Sequence, residues 1–145
     1  MNTVIKFFKE RTLSFYLRLA VIVMALVPIF YMCTRLTIET EYVAAVVFGI
    51  IAVVAHIAAL VFEKQSWVDF LEIVGTLCLA AELGMFAVGG MLSVVDFLYK
   101  INFWGDPTQV PAIFGFGAVL AVGMLLSIAV CFLRKAYERK AADAA

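Results

Sequence analysis

The stretch Ile73–Val95, IVGTLCLAAELGMFAVGGMLSVV, decides the fold. At 1.5 Å of rise per residue it makes a helix of about 35 Å, enough to cross a hydrocarbon core of about 30 Å. Near its middle stands Glu82. A carboxylate at that depth costs about 2.5–3.5 kcal/mol on insertion scales unless it is paired, protonated or facing water. The stretch therefore reads as a transmembrane helix that carries a buried acid.

The rest of the chain agrees with that reading. Of its 145 residues 66% are hydrophobic, against about 45–50% in soluble domains, and the mean hydropathy is +1.07. Formal net charge is zero, and a nucleic-acid partner, which needs a basic excess, is not expected. Apolar runs recur over 13–34, 42–62, 70–99 and 110–133. Each is long enough to span, and the third is over-long, with an interfacial turn expected near Trp67. Short connections force sequential helices to lie antiparallel, so the expected fold is all-α, an up-down-up-down four-helix membrane bundle in a single domain.

Charge sets the expected orientation. Lys6, Lys9, Arg11, Arg18, Lys64, Arg134, Lys135, Arg139 and Lys140 flank one side, and Arg35 and Lys100 the other. By the positive-inside rule both termini face the cytoplasm of a multi-pass protein in the cell membrane. Residues 1–12 suit an interfacial segment on the anionic inner leaflet, and 134–145 a cytoplasmic tail. The first span, long and without a small-x-small cleavage site, reads as an uncleaved signal anchor. Pro28 is expected to kink it.

Small and polar residues mark the faces that pack in lipid. Ala45, Gly49, Ala52, His56 and Ala59 form one stripe in the second span. Gly75, Cys78, Glu82, Met85, Gly89, Ser93 and Asp96 form one in the third, and Gly115, Gly123, Ser127 and Cys131 an i+4 row in the fourth. The packing glycines are then Gly49, Gly75, Gly89, Gly115 and Gly123.

Counting from span midpoints at 1.5 Å per residue puts Glu82, His56 and Arg18 at similar depths on three helices. An intramembrane cluster follows, in which Arg18 pairs with Glu82 and His56 donates to the same carboxylate. It is a clasp that fixes helix register, a site for a proton or cation, or part of a contact with another protein. At the opposite face, Asp96, Asn102, Trp104 and Asp106 form a possible outer polar site, with a solvated turn as the plainer account. Cys33, Cys78 and Cys131 have no metal-ligand spacing, and one His does not make a bis-His haem site. No cofactor, metal or catalytic group is expected.

The segment Glu10–Leu17, ERTLSFYL, resembles the entry to the first span of small, uncharacterised bacterial four-helix membrane proteins, some encoded near glycoside hydrolases. That resemblance implies an accessory role rather than an autonomous enzyme. The small multidrug exporters of similar length differ, because their essential carboxylate lies in the first span, where this chain has Arg18. The leading expectation is a non-enzymatic accessory, anchoring or assembly subunit, with the lipid bilayer and a membrane protein or a second copy as partners. A small homo-oligomeric transporter or channel, and an enzyme acting on lipid or glycan, are the alternatives.

Overall fold

The computed structural model describes residues 13–35, 42–62 and 65–143, with backbone alone for 35 and 134–143. Residues 1–12, the first connection and Lys64 lie outside the described residues, and with them the interfacial N-terminal segment. Four helices are present: α1 Leu13–Arg35, α2 Tyr42–Val61, α3 Val68–Tyr99 and α4 Val110–Asp143, the last preceded by a 3-10 turn at Pro107–Gln109. There is no strand among the described residues. The four are long and apolar enough to cross a membrane. α1 passes through Pro28 as one helix, and α4 runs beyond Leu133, where its apolar span ends.

Each helix lies beside two others, in the ring α1–α2–α3–α4–α1. This leaves α1 facing α3, and α2 facing α4, across the diagonals. On each helix one buried row alternates by three and four residues: Phe15, Arg18, Ile22, Ala25, Ile29 and Met32 on α1; Tyr42, Ala45, Gly49, Ala52, His56 and Ala59 on α2. On α3 the buried row is Glu72, Gly75, Leu79, Glu82, Phe86, Gly89, Ser93 and Asp96. A period of 3.5 keeps one seam facing its partners along a whole helix, which is the geometry of left-handed bundles.

The exterior is inverted relative to a soluble protein. Phe30, Leu77, Phe114, Leu125 and Phe132 are all more than half exposed, while Arg18, His56, Glu72 and Glu82 are buried. Apolar surface on this scale, wrapped around buried charge, fits hydrocarbon rather than water.

Glycine makes the α2–α3 seam. A Cβ at Gly49 would stand 2.6 Å from Glu82 Oε1, one at Gly75 2.9 Å from His56 Nε2, and one at Gly89 2.5 Å from the Tyr42 ring. Each of these glycines leaves room for one large side chain of the opposite helix. Gly123 similarly lies against Met24 of α1. Gly115 does not belong to this set: it is exposed, with nothing within 4 Å of a Cβ placed there. An i+4 row drifts about 40° per step at 3.6 residues per turn, so two steps back from Gly123 lead out of the interface. The buried residues of α4 are Val110, Ile113, Leu120, Gly123, Ser127 and Val130. On α3, likewise, Leu79 and Phe86 occupy the seam, and Cys78 and Met85 are only half-buried.

Above Glu82 the bundle is closed by one ring from each helix. Tyr31 of α1 stacks on Phe116 of α4 at 4.7 Å between centroids, and Tyr42 of α2 stacks on Phe86 of α3 at 5.7 Å. Tyr31 meets Tyr42 and Phe86 edge-on. Such pairs add about 0.5–1.5 kcal/mol each beyond the area they bury.

Candidate functional site

The buried polar groups form three levels. The first lies where α1 begins and α2 ends. Arg18 ion-pairs with Glu72 across the α1–α3 diagonal, and both side chains are almost fully enclosed. At this level His56 Nε2 lies 3.3 Å from Ser127 Oγ, across the α2–α4 diagonal. Ser127 Oγ lies 2.6 Å from Thr76 Oγ1, which donates to the Glu72 backbone carbonyl at 2.8 Å.

Proton counting fixes the direction of this chain. A hydroxyl carries one hydrogen. Thr76 gives its hydrogen to a carbonyl, which can only accept, so Ser127 donates to Thr76. Ser127 must then accept from His56, whose Nε2 carries a hydrogen. A serine nucleophile needs the opposite arrangement, with its hydroxyl donating to a bare imidazole nitrogen. The chain His56–Ser127–Thr76 is thus a tie that ends on a backbone carbonyl. Together the two diagonals cross-brace all four helices.

The second level is Glu82 alone. Its side chain is fully buried, neither carboxylate oxygen has a hydrogen-bond partner, and the group lies against Gly49. The cluster expected from the sequence is therefore corrected. Arg18 and His56 share a level, but Glu82 lies ten residues beyond Glu72 on α3, about 15 Å along the axis. Arg18 pairs with Glu72, and His56 with Ser127.

The third level ties the long connection to α3. Asp96 Oδ2 accepts the backbone N–H groups of Phe103, Trp104 and Gly105 at 2.8–2.9 Å, and Ser93 Oγ accepts that of Asp106. α3 ends with Lys100 at φ 54°, left-handed. There Ile101 N–H returns to the Asp96 carbonyl and Lys100 N–H to that of Phe97, the two bonds of a Schellman ending. Gly105 is required: a Cβ there would stand 2.5 Å from the backbone nitrogen of Ser93. Asp106 caps the 3-10 turn, accepting from Thr108 N–H and Oγ1 and from Gln109 Nε2. Asn102 and Trp104 are exposed, Trp104 edge-on to Phe103. A cavity of about 540 Å³ opens beside Phe97, Lys100, Ile101, Asn102 and Pro107. Of the outer polar residues, Asp96 and Asp106 thus hold the loop itself.

Among the described residues no group of three or more His, Cys, Asp or Glu side chains is placed to hold a metal ion. Cys33, Cys78 and Cys131 are free thiols.

No family model, curated protein or solved structure matches this chain.

Sequence position alone puts Glu72 near the inner interface, within reach of water, whereas the structure buries it against Arg18. Arg18 is five residues into α1 and Glu72 four residues into α3, so the two enter from the same side to nearly equal depth. Ser127 and Thr76 had weaker signals, because a hydroxyl between apolar neighbours marks a packing face without naming its partner.

Proposed function

We propose that this chain is a non-enzymatic subunit of a membrane complex, serving to anchor or assemble a partner. The observation that carries the reading is the cross-bracing of the first polar level. Arg18 is ion-paired with Glu72 on one diagonal, and His56, Ser127 and Thr76 are hydrogen-bonded in series on the other, which suits a rigid body better than a reaction or a moving gate. α4 supports it further by continuing for residues 134–143 past its apolar span, about 15 Å of helix outside the bilayer. A spanning helix already formed supplies the nucleus that a short helix in water lacks. In this reading the extension, with Arg134, Lys135, Glu138, Arg139 and Lys140 in its sequence, is what a partner meets. The Lys/Arg distribution places it with both termini on the cytoplasmic side of the cell membrane. The likeness of Glu10–Leu17 to small bacterial four-helix membrane proteins belongs to the same proposal.

Native mass spectrometry of the protein, drawn from its own membranes in mild detergent, tests this. A stable heteromeric complex, lost when the chain is ended after Leu133, is expected. Recovery only as a monomer or as copies of itself contradicts it. A second reading, a homo-oligomeric transporter or channel, is favoured by one observation, the unpartnered Glu82 at mid-bundle.

A further inference from the structure

We propose that Glu82 is a proton-binding site at the centre of the bundle, its carboxyl seated neutral between Gly49 of α2 and Ile29 of α1. This inference is independent of the anchoring reading. It starts from a side chain with no exposed surface and no hydrogen-bond partner for either oxygen. The fit is close, since a methyl-sized atom added at Gly49 would meet Glu82 Oε1 at 2.6 Å, its Cδ at 2.7 Å and the Ile29 Cδ1 at 2.9 Å. The carboxyl therefore faces a glycine Cα and an isoleucine methyl.

Among the described side chains no charged group answers it from the packed helices. On α1, Arg18 is eleven residues before Ile29 and engaged with Glu72. On α2, His56 is seven residues past Gly49, about 10 Å along the axis, and engaged with Ser127. On α3, Glu72 and Asp96 are ten and fourteen residues away, and both are acids. From Val110 to Val130, α4 contains no Asp, Glu, Lys, Arg or His. The other titratable side chains as near or nearer along the helices are Cys78 on α3, Tyr31 and Cys33 on α1, and Tyr42 on α2, all uncharged in their protonated forms. An ionised Glu82 would be an uncompensated charge in a low-dielectric interior, the costliest state available to it.

The same walls select the ligand. Calcium takes six to eight oxygens and magnesium an octahedron of them, whereas among the described residues no group of three or more His, Cys, Asp or Glu is placed to hold a metal ion. A proton needs only the carboxyl. Exchange with water then requires the helices to part, because they cover the group completely.

Infrared spectroscopy of the full-length chain in phosphatidylcholine–phosphatidylglycerol vesicles tests the site at neutral pH. The expected result is a carboxylic-acid carbonyl band of one group per chain, shifted by 13C-glutamate labelling and absent in Glu82→Gln. Folded wild-type protein without a glutamate-sensitive acid band overturns the proposal, as does a band that persists in folded Glu82→Gln. Should Glu82→Gln fail to fold, the labelled wild type decides. The other described glutamate with a described side chain is the ion-paired Glu72. A second labelled sample carrying Gly49→Ala, which presses on the Glu82 carboxyl, should then move the band. A band indifferent to that change overturns the assignment.

Discussion

Removing the Glu72 carboxylate should be among the most damaging single changes in the chain. Arg18 is 1% exposed and Glu72 2%, so in Glu72→Gln the guanidinium stays buried and loses the carboxylate it pairs with across the diagonal. Breaking a buried pair from one side costs about 3–5 kcal/mol, which is roughly two to three and a half powers of ten in the folded-to-unfolded ratio at about 1.4 kcal/mol per tenfold. Arg18→Met should cost a comparable amount, because the buried carboxylate then loses the guanidinium that faces it. The double variant, Arg18→Met with Glu72→Leu, fills the diagonal with apolar volume and removes both charges. Such replacements are neutral or stabilising by about 1–4 kcal/mol. The double variant should therefore be more stable than either single one. The assay is reversible unfolding of the full-length protein in mixed micelles by titration with dodecyl sulfate, followed by circular dichroism. Single variants that each lose less than about 1 kcal/mol, the range of exposed ion pairs, would refute the buried diagonal. So would a double variant no more stable than the singles.

Other expectations concern the remaining levels. Ser127→Ala leaves the His56 N–H without its acceptor and should cost about 1–3 kcal/mol in the same titration, while nitrogen NMR of the wild type should find the hydrogen on Nε2. Gly105→Ala forces backbone apart at Ser93 and should cost about 1–3 kcal/mol. Gly115→Ala, with open space around it, should raise stability by about 0.5–1 kcal/mol; both are read as shifts in the unfolding midpoint. Asp96→Ala should free the amides of Phe103, Trp104 and Gly105, and their hydrogen exchange should accelerate by an order of magnitude or more. Unchanged exchange there would mean that the Asp96 contacts do not hold the loop.

The bundle was legible because its cause is legible: four apolar runs, too long for anything but spans and joined too briefly for any but antiparallel neighbours. The α2 stripe from Ala45 to Ala59 was readable residue by residue, since nearly every member is small and a 3–4 spacing fixes the face. The α3 stripe was only half readable. Preferring small residues pointed to Cys78 and Met85, whereas the seam needs Leu79 and Phe86, the latter to meet Tyr42 and Tyr31. The cluster is illegible for a geometric reason. Counting depth from span midpoints assumes helices of equal length, but α1 has 23 residues and α3 has 32. Half that difference is about 7 Å, enough to bring Arg18 level with Glu72 instead of Glu82. Diagonal partners were illegible in any case, because periodicity gives the face of a helix and not the helix that lies opposite.

Site-specific photo-crosslinking in native membranes tests the anchoring account most directly. A photoreactive residue placed in turn along 134–143 of α4 should give one heteromeric adduct of constant mass, and the same residue at lipid-facing Phe114 or Leu125 should not. Adducts along the extension that contain only lipid, or only a second copy of this chain, would contradict the account.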